Sequence, residues 1–452
     1  MSTGIEGDCG QILSLELSPL DYSDTTDAFN GDDAENDYHT NDTIDMEERY
    51  NNNPITDLNV PLLRPIIALA LPSAIQSILS NAYGFNSFVF VGHMRDRELS
   101  SIATTALSSI VGVNIVIFAF HNIIPSGANT HTSQYVGAEN PVMVRLCFRS
   151  AFYSSIALSS IVGLLGFIFI DHISAVCNSD DPRVREAIGE YLGIVFLTSP
   201  FFSFMLLVDG YFKSVGDVAT PFYLECLSLV LNTIMNYLLV VHFDYGIGGS
   251  AIATSIARLL PALFGLYKIL FQTNQGIMVS LSMLQNLPQE RPANETMEMT
   301  TNGEKYRNDV EDDNVFDDNI TTERHQPTLF SNLLFILYNS IGMARIGVFD
   351  SLAAFIYGVC FTSLVRICGL IGVAQQAGLG AGLRGIEWLG FCLSEGFLVA
   401  AATAVGQCVG ANAHERAMDV AIVLFTLGSC GGSIWFAFCI LFCRDITTAF
   451  ER

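Results

Sequence analysis

Asp350, Glu387 and Glu395 stand in stretches otherwise apolar enough to cross a bilayer, where a carboxylate is chemically expensive. A charge at the centre of a membrane helix costs about 2.5–3.5 kcal/mol on insertion scales, so such a group needs a partner, a proton or a bound cation. A carboxylate that holds either a proton or a cation, but not both, is the physical basis of exchange transport. Glu387 and Glu395 are eight residues apart, about 80 degrees around a helix, which lets both face one cavity. The competing reading is pairing, of Asp350 with Arg345 or Arg366 and of Glu387 with Arg384. His121 has helix packing as its simpler role. Phe201, Phe202 and Phe204 are either lipid-facing or walls for flat cations, held through cation–π contact.

The elements that must position these groups are membrane helices. Apolar stretches near the roughly 20 residues that span a bilayer run over about 62–91, 102–126, 146–170, 187–212, 219–242 and 247–272. Three more follow at about 333–366, 385–408 and 418–443. Lipid offers no hydrogen-bond partners, so each is expected to be helical, with Pro72, Pro125, Pro200 and Pro261 as sites of bending. The expected organisation is an acidic disordered tail over 1–57, a six-helix lobe over 58–272, an acidic cytoplasmic linker over 273–327, and a partial lobe of three helices over 328–452.

Composition agrees with an all-α polytopic membrane protein: mean hydropathy is +0.42, half the residues are apolar and only 15% are charged. The net charge of −24 is local. Residues 1–60 hold 15 acidic residues against Arg49, and residues 273–327 hold 11 against four basic ones. The acidity therefore belongs to solvated segments and implies no basic partner, and no nucleic-acid partner is expected. The chain has 11 cysteines and no paired CxxC spacing; Cys439 and Cys443, one turn apart, are expected to pack rather than bind metal. The acidic amino terminus lacks an early apolar run, so the first span is expected to serve as the insertion signal. Flanking Arg and Lys barely favour an amino terminus inside.

The chain also repeats itself. Gln134-x-Val136-Gly137-Ala138 returns as Gln407-x-Val409-Gly410-Ala411, an offset of 273 residues, each copy closing an apolar stretch. Internal repeats are common in transporters, whose substrate site lies between the repeats near the bilayer midplane. The repeat predicts that the last three helices superpose on the first three. A complete second lobe would then need three further helices, so the sequence reads either as incomplete or as a truncated form.

The run Gly210-Tyr-Phe-Lys213-Ser-Val-Gly216-Asp217-x-x-Thr220-Pro221 reads as loop architecture. Gly216 permits a sharp turn, Asp217 caps the next helix, Pro221 suits its first turn, and Lys213 meets the negative end of the preceding helix dipole. Asp209, one turn earlier, is placed to pair with Lys213.

Taken together, several motifs resemble the multidrug and toxic compound extrusion (MATE) family of two-lobe cation antiporters over about residues 60–443. They are Ser87-Phe-Val-Phe-Val-Gly92-His93-Met94, the Gln134 to Ala138 motif, the 210–221 run, Asn232, Gly246 to Thr254, and Glu395-Gly396-Phe397-x-x-Ala400-Ala401 with Gly406-Gln407; the last is similar to the DinF-like branch. The resemblance implies a MATE-like fold with a six-helix lobe, a three-helix partial lobe and about nine spans. It also exposes a departure. Where proton-coupled members carry acids in the first and fifth helices, this chain has Ser87 and, beside a retained Asn232, Asn236. Neither takes up a proton near neutral pH.

The resemblance thus implies a secondary active antiporter of organic cations, drugs or metabolites. Its coupling ion would be H+ or Na+, with no other cofactor, and coupling would fall to Glu395, Asp350 or Glu387. No Walker A motif is present, and no enzyme activity is expected. A monomer in a plasma or organelle membrane, with a small-molecule substrate, is the expected state. The alternatives are a flippase for a lipid-linked substrate, which would want a strongly cationic cavity, and a non-transporting membrane adaptor whose acidic tails recruit partners.

Overall fold

The computed structural model describes residues 55–56, 60–177, 181–271, 329–371 and 388–442. Glu387, Arg384, Cys443, most of the expected tail and all of the expected linker lie outside them. Twelve α-helices carry the described chain, and each expected span has its counterpart among them. α1 is Leu63–Gly92, α2 Arg97–Ser109, α3 Val111–Gly137, α4 Pro141–Ile168, α5 Ile170–Cys177 and α6 Pro182–Leu197. α7 is Ser199–Ser214, α8 Ala219–Asn236, α9 Gly246–Phe271, α10 Leu329–Ile371, α11 Trp388–Gly410 and α12 His414–Leu441. Eight helical stretches are long and apolar enough to cross a membrane, and the α6–α7 pair, bent by 55°, makes a ninth if it is one span.

Sequence explains the breaks. Pro200 has no amide hydrogen to continue the helix at the α6–α7 bend. There the Thr198 hydroxyl donates to the Ile194 carbonyl, 2.8 Å away. The second expected span, 102–126, merges two helices. α2 is a short, Ser- and Thr-rich helix capped by Asp96, and the spanning helix α3 begins only at Val111. α8 ends in a π-helical turn, Tyr237–His242, directly after Asn236; such turns are frequent where a helix serves a site.

Packing follows the rule for membrane helices, with small residues inside and large apolar ones out. α4 buries Ser150, Ser155, Ser159 and Gly163 while Leu164, Phe167 and Ile168 are exposed, as expected for a lipid-facing surface. One core joins α3, α4, α7 and α9, around Phe148, Phe204, Tyr211 and Phe212, to Met343 of α10. Another cluster joins α1 to α11 and α12 through Ile66, Ala400, Cys408 and Val420. Ile55 belongs to this cluster, only 8% exposed. The acidic-tail boundary at 57 therefore falls beyond a packed residue.

Candidate functional site

The internal repeat is visible as contact geometry. Gly137, at the end of α3, lies against the backbone carbonyl of Gln407, and Gly410, at the end of α11, lies against that of Gln134. A Cβ at either glycine would overlap the facing oxygen, so the two motifs meet reciprocally about a local twofold axis. Gln407 also donates from Nε2 to the Ser214 carbonyl, 3.0 Å away.

Away from this axis lie two seams, α1 against α11 and α10 against α3. Gly396 of α11 approaches the Ala70 carbonyl of α1, and Gly347 of α10 lies against the Ile123 carbonyl of α3. Each seam holds one carboxylate. In the first, the Ser77 hydroxyl donates to Glu395 Oε2. In the second, Asn122 Nδ2 and Ser126 Oγ donate to Asp350 Oδ2 at 3.0 and 2.9 Å. Ser77 and Asp350 are 273 residues apart, and so are Asn122 and Glu395. Each contact thus repeats the other with donor and acceptor exchanged between helices. Asp350 is exposed and bonded to α3 rather than to Arg345 or Arg366; Glu395 is half-buried.

The positions where the family pattern has acids form a neutral cluster. Ser87, Asn232 and Asn236 are buried. Asn86 Nδ2 donates to Asn232 Oδ1 at 2.8 Å, Asn232 Nδ2 to Thr254 Oγ1 at 3.3 Å, and Ser87 Oγ lies 3.5 Å from Thr254 Oγ1. Asn236 donates to the Asn232 carbonyl at 2.9 Å. None of these five side chains exchanges a proton near neutral pH.

The 210–221 turn has its expected parts. Gly216 has φ +83°, the left-handed region that glycine enters without strain. Asp217, one residue before the N-cap Val218, accepts from the Thr220 amide at 2.9 Å and the Thr220 hydroxyl at 2.6 Å at the start of α8, with Pro221 in the first turn. Lys213 lies within the last turn of α7 rather than past it, 9% exposed, with Nζ 2.6 Å from Asp209 Oδ2.

Sequence reasoning missed the most buried acid of the described chain. Glu225 of α8 is 2% exposed and shares one helix face with Ser228, Asn232 and Asn236. With Asp209 and Pro221 it lines a cavity of about 20 Å³. Arg258 was missed too: its guanidinium lies 4.4 Å over Phe202 and 5.7 Å over Tyr83. The protein's own cation therefore occupies the Phe202 face considered above for a flat ligand. Phe204 is core and Phe201 exposed. His121 is buried against Phe202, with Nδ1 2.6 Å from the Ile117 carbonyl, as a packing residue would be.

The chain is 26% identical over 218 residues to the multidrug export protein MepA of Staphylococcus aureus, a match covering 48% of this chain and 47% of that protein. MepA of Staphylococcus saprophyticus matches at 25% over 203 residues, covering 45% of this chain and 44% of that protein. The chain spans about half the length of the curated relatives it matches. Among solved structures, an outward-facing multidrug resistance MATE family transporter of the MOP superfamily superposes with TM-score 0.63 at 17% identity. A MOP superfamily transporter from Pyrococcus furiosus, described as having a binding pocket of reverse polarity, does so with 0.65 at 17%. Both cover 88% of this chain and 75% of theirs, which establishes a common fold. The MatE family model matches residues 72–238 and 350–452, more than half of the chain, so this multi-pass integral membrane protein belongs to the MATE family of transporters.

Proposed function

We propose that the protein is a secondary active exporter of organic cations, drugs or metabolites, exchanging them for H+ or Na+ by alternating access, with Glu395 as the coupling carboxylate. The observation that carries this reading is the pair of repeat-related seams, each with one hydrogen-bonded acid on a different helix. Alternating access needs two packed arrangements of helices about a shared axis. Carboxylates in the seams themselves can sense that change, because their hydroxyl and amide donors come from the opposing helix. Glu395 is the stronger choice because it is half-buried and Gly396 holds α1 close beside it, whereas Asp350 is exposed.

Lipid-linked flipping would favour an excess of positive charge in the helices. Here the buried Lys213 is matched by Asp209. The relatives named as multidrug export proteins support a small-molecule substrate.

The reading is tested by reconstituting the full-length protein in liposomes loaded with a fluorescent aromatic cation. An imposed H+ or Na+ gradient is expected to drive efflux, and a cation gradient to drive the ion the other way. Efflux that follows only the dye's own gradient, whichever ion gradient is imposed, would refute exchange.

A further inference from the structure

Glu225 and its surroundings form a further acid-bearing site among the amino-terminal helices, next to the first seam: Lys213 interacts electrostatically with both Glu225 and Glu395. The carboxylate is 2% exposed and its Oε1 has no hydrogen-bond partner among the described residues. Ser80 of α1 supplies a hydroxyl partner to the carboxylate. A buried acceptor left without a partner is costly, and more so when charged, so the structure calls for something at that oxygen.

The charged and titratable groups around it come from three helices. From α7, Asp209 and Lys213 face it; Asp209 is already committed, accepting 2.6 Å bonds from Gln76 Nε2 on one oxygen and from Lys213 Nζ on the other. From α9 comes Arg258, whose guanidinium stacks on Phe202 and Tyr83; no ion pair joins it to Glu225. From α1 comes the Tyr83 phenol. The pair Asp209 and Lys213 is neutral as a unit, which leaves Glu225 as the open acid of the cluster.

We propose that Glu225 is a proton-binding site inside the amino-terminal bundle, reached through the cavity it shares with Asp209. The step is simple: a proton from water forms one O–H bond on the carboxylate, giving the carboxylic acid, and release breaks that bond. A proton suits the site better than a metal cation. The cavity of about 20 Å³ has room for one water molecule, and both Asp209 oxygens are already bonded, so the set of oxygen ligands a metal cation needs is not there. The repeat-related seams play no part in this assignment, which holds whether or not Glu395 couples transport.

The test needs no transport. Infrared difference spectra of the purified full-length protein in lipid nanodiscs, with glutamate carbon-13 labelled, are recorded across a pH titration in choline chloride and again in sodium chloride. A protonated-carboxyl band from a dry environment is expected to appear and vanish with pH, indifferent to sodium, and to be lost in Glu225→Gln but kept in Glu395→Gln. Glu225→Asp, with aspartate labelled instead, should restore a titrating band, which separates loss of the acid from loss of the fold. A band that persists in Glu225→Gln, responds to sodium but not to pH, or is absent from the unsubstituted protein would overturn the proposal.

Discussion

Glu395 and Asp350 are equivalent acids of one repeated contact, seen with its donor and acceptor interchanged: Ser77 of α1 serves Glu395 of α11, while Asn122 of α3 serves Asp350 of α10. The seams are alike in backbone approach and differ in which helix carries the charge. That asymmetry is what a transporter with one coupling acid would use.

The reciprocal contact at the axis makes a matched pair of substitutions. Adding a methyl group at Gly137 or at Gly410 forces it into a backbone oxygen of the other repeat, which cannot move aside as a side-chain tip can. Each Gly→Ala change should destabilise the protein by about 1–3 kcal/mol, the usual cost of overpacking. Gly84→Ala, where no atom lies within 4 Å, should be neutral to slightly stabilising, since alanine favours a helix interior over glycine. Thermal unfolding in detergent checks this, and a Gly137→Ala protein as stable as Gly84→Ala would be evidence against the packed axis.

The segment before α1 is expected to matter through Arg416. This residue, 6% exposed at the start of α12, donates from Nε to the Ile55 carbonyl at 3.1 Å and from Nη2 to the Val60 carbonyl at 2.5 Å. Arg416→Ala should cost about 1.5–3 kcal/mol, the range for hydrogen bonds to a charged group. Deleting residues 1–53 should leave insertion and stability unchanged, whereas deleting 1–60 should reproduce the Arg416→Ala loss. Equal unfolding temperatures for the two deletions would show that Ile55 contributes nothing.

The ion pair of Asp209 and Lys213 is enclosed enough that breaking it should be costly from one side only. Asp209→Asn leaves a buried ammonium without its counter-charge and should destabilise by about 3–5 kcal/mol. Changing both residues, Asp209→Asn with Lys213→Met, should recover much of that loss. A double-mutant cycle on unfolding in detergent measures the coupling; additive losses would show that the two side chains act independently.

Much of the architecture was legible because lipid imposes one rule, and nine apolar stretches answer to nine helical segments. The α2–α3 boundary was not legible: Ile110 separates a polar-faced short helix from an apolar long one, and hydropathy averages across it. The 273-residue offset was readable in Gln134 and Gln407. Its consequence for Ser77, Asn122, Asp350 and Glu395 was not, because spacing alone does not tell which helices touch. Glu225 was overlooked although its signal lay in the sequence. Residues 225, 228, 232 and 236 put Glu, Ser, Asn and Asn on one helix face, a polar stripe that an apolar span retains only for a reason. The family likeness points instead to Ser87 and Asn236, the positions where related chains carry acids. Glu387, another expected acid, lies outside the described residues.

Ion-driven efflux by a single carboxamide variant tests the central claim most directly. Glu395→Gln keeps the side chain's shape and its contact with Ser77 but removes the exchangeable charge. In proteoliposomes with an imposed H+ or Na+ gradient, the variant of the full-length protein should insert normally and lose gradient-driven efflux of the organic cation, while Asp350→Asn should retain most of it. Undiminished coupling in Glu395→Gln would contradict the account and shift the coupling role to Asp350.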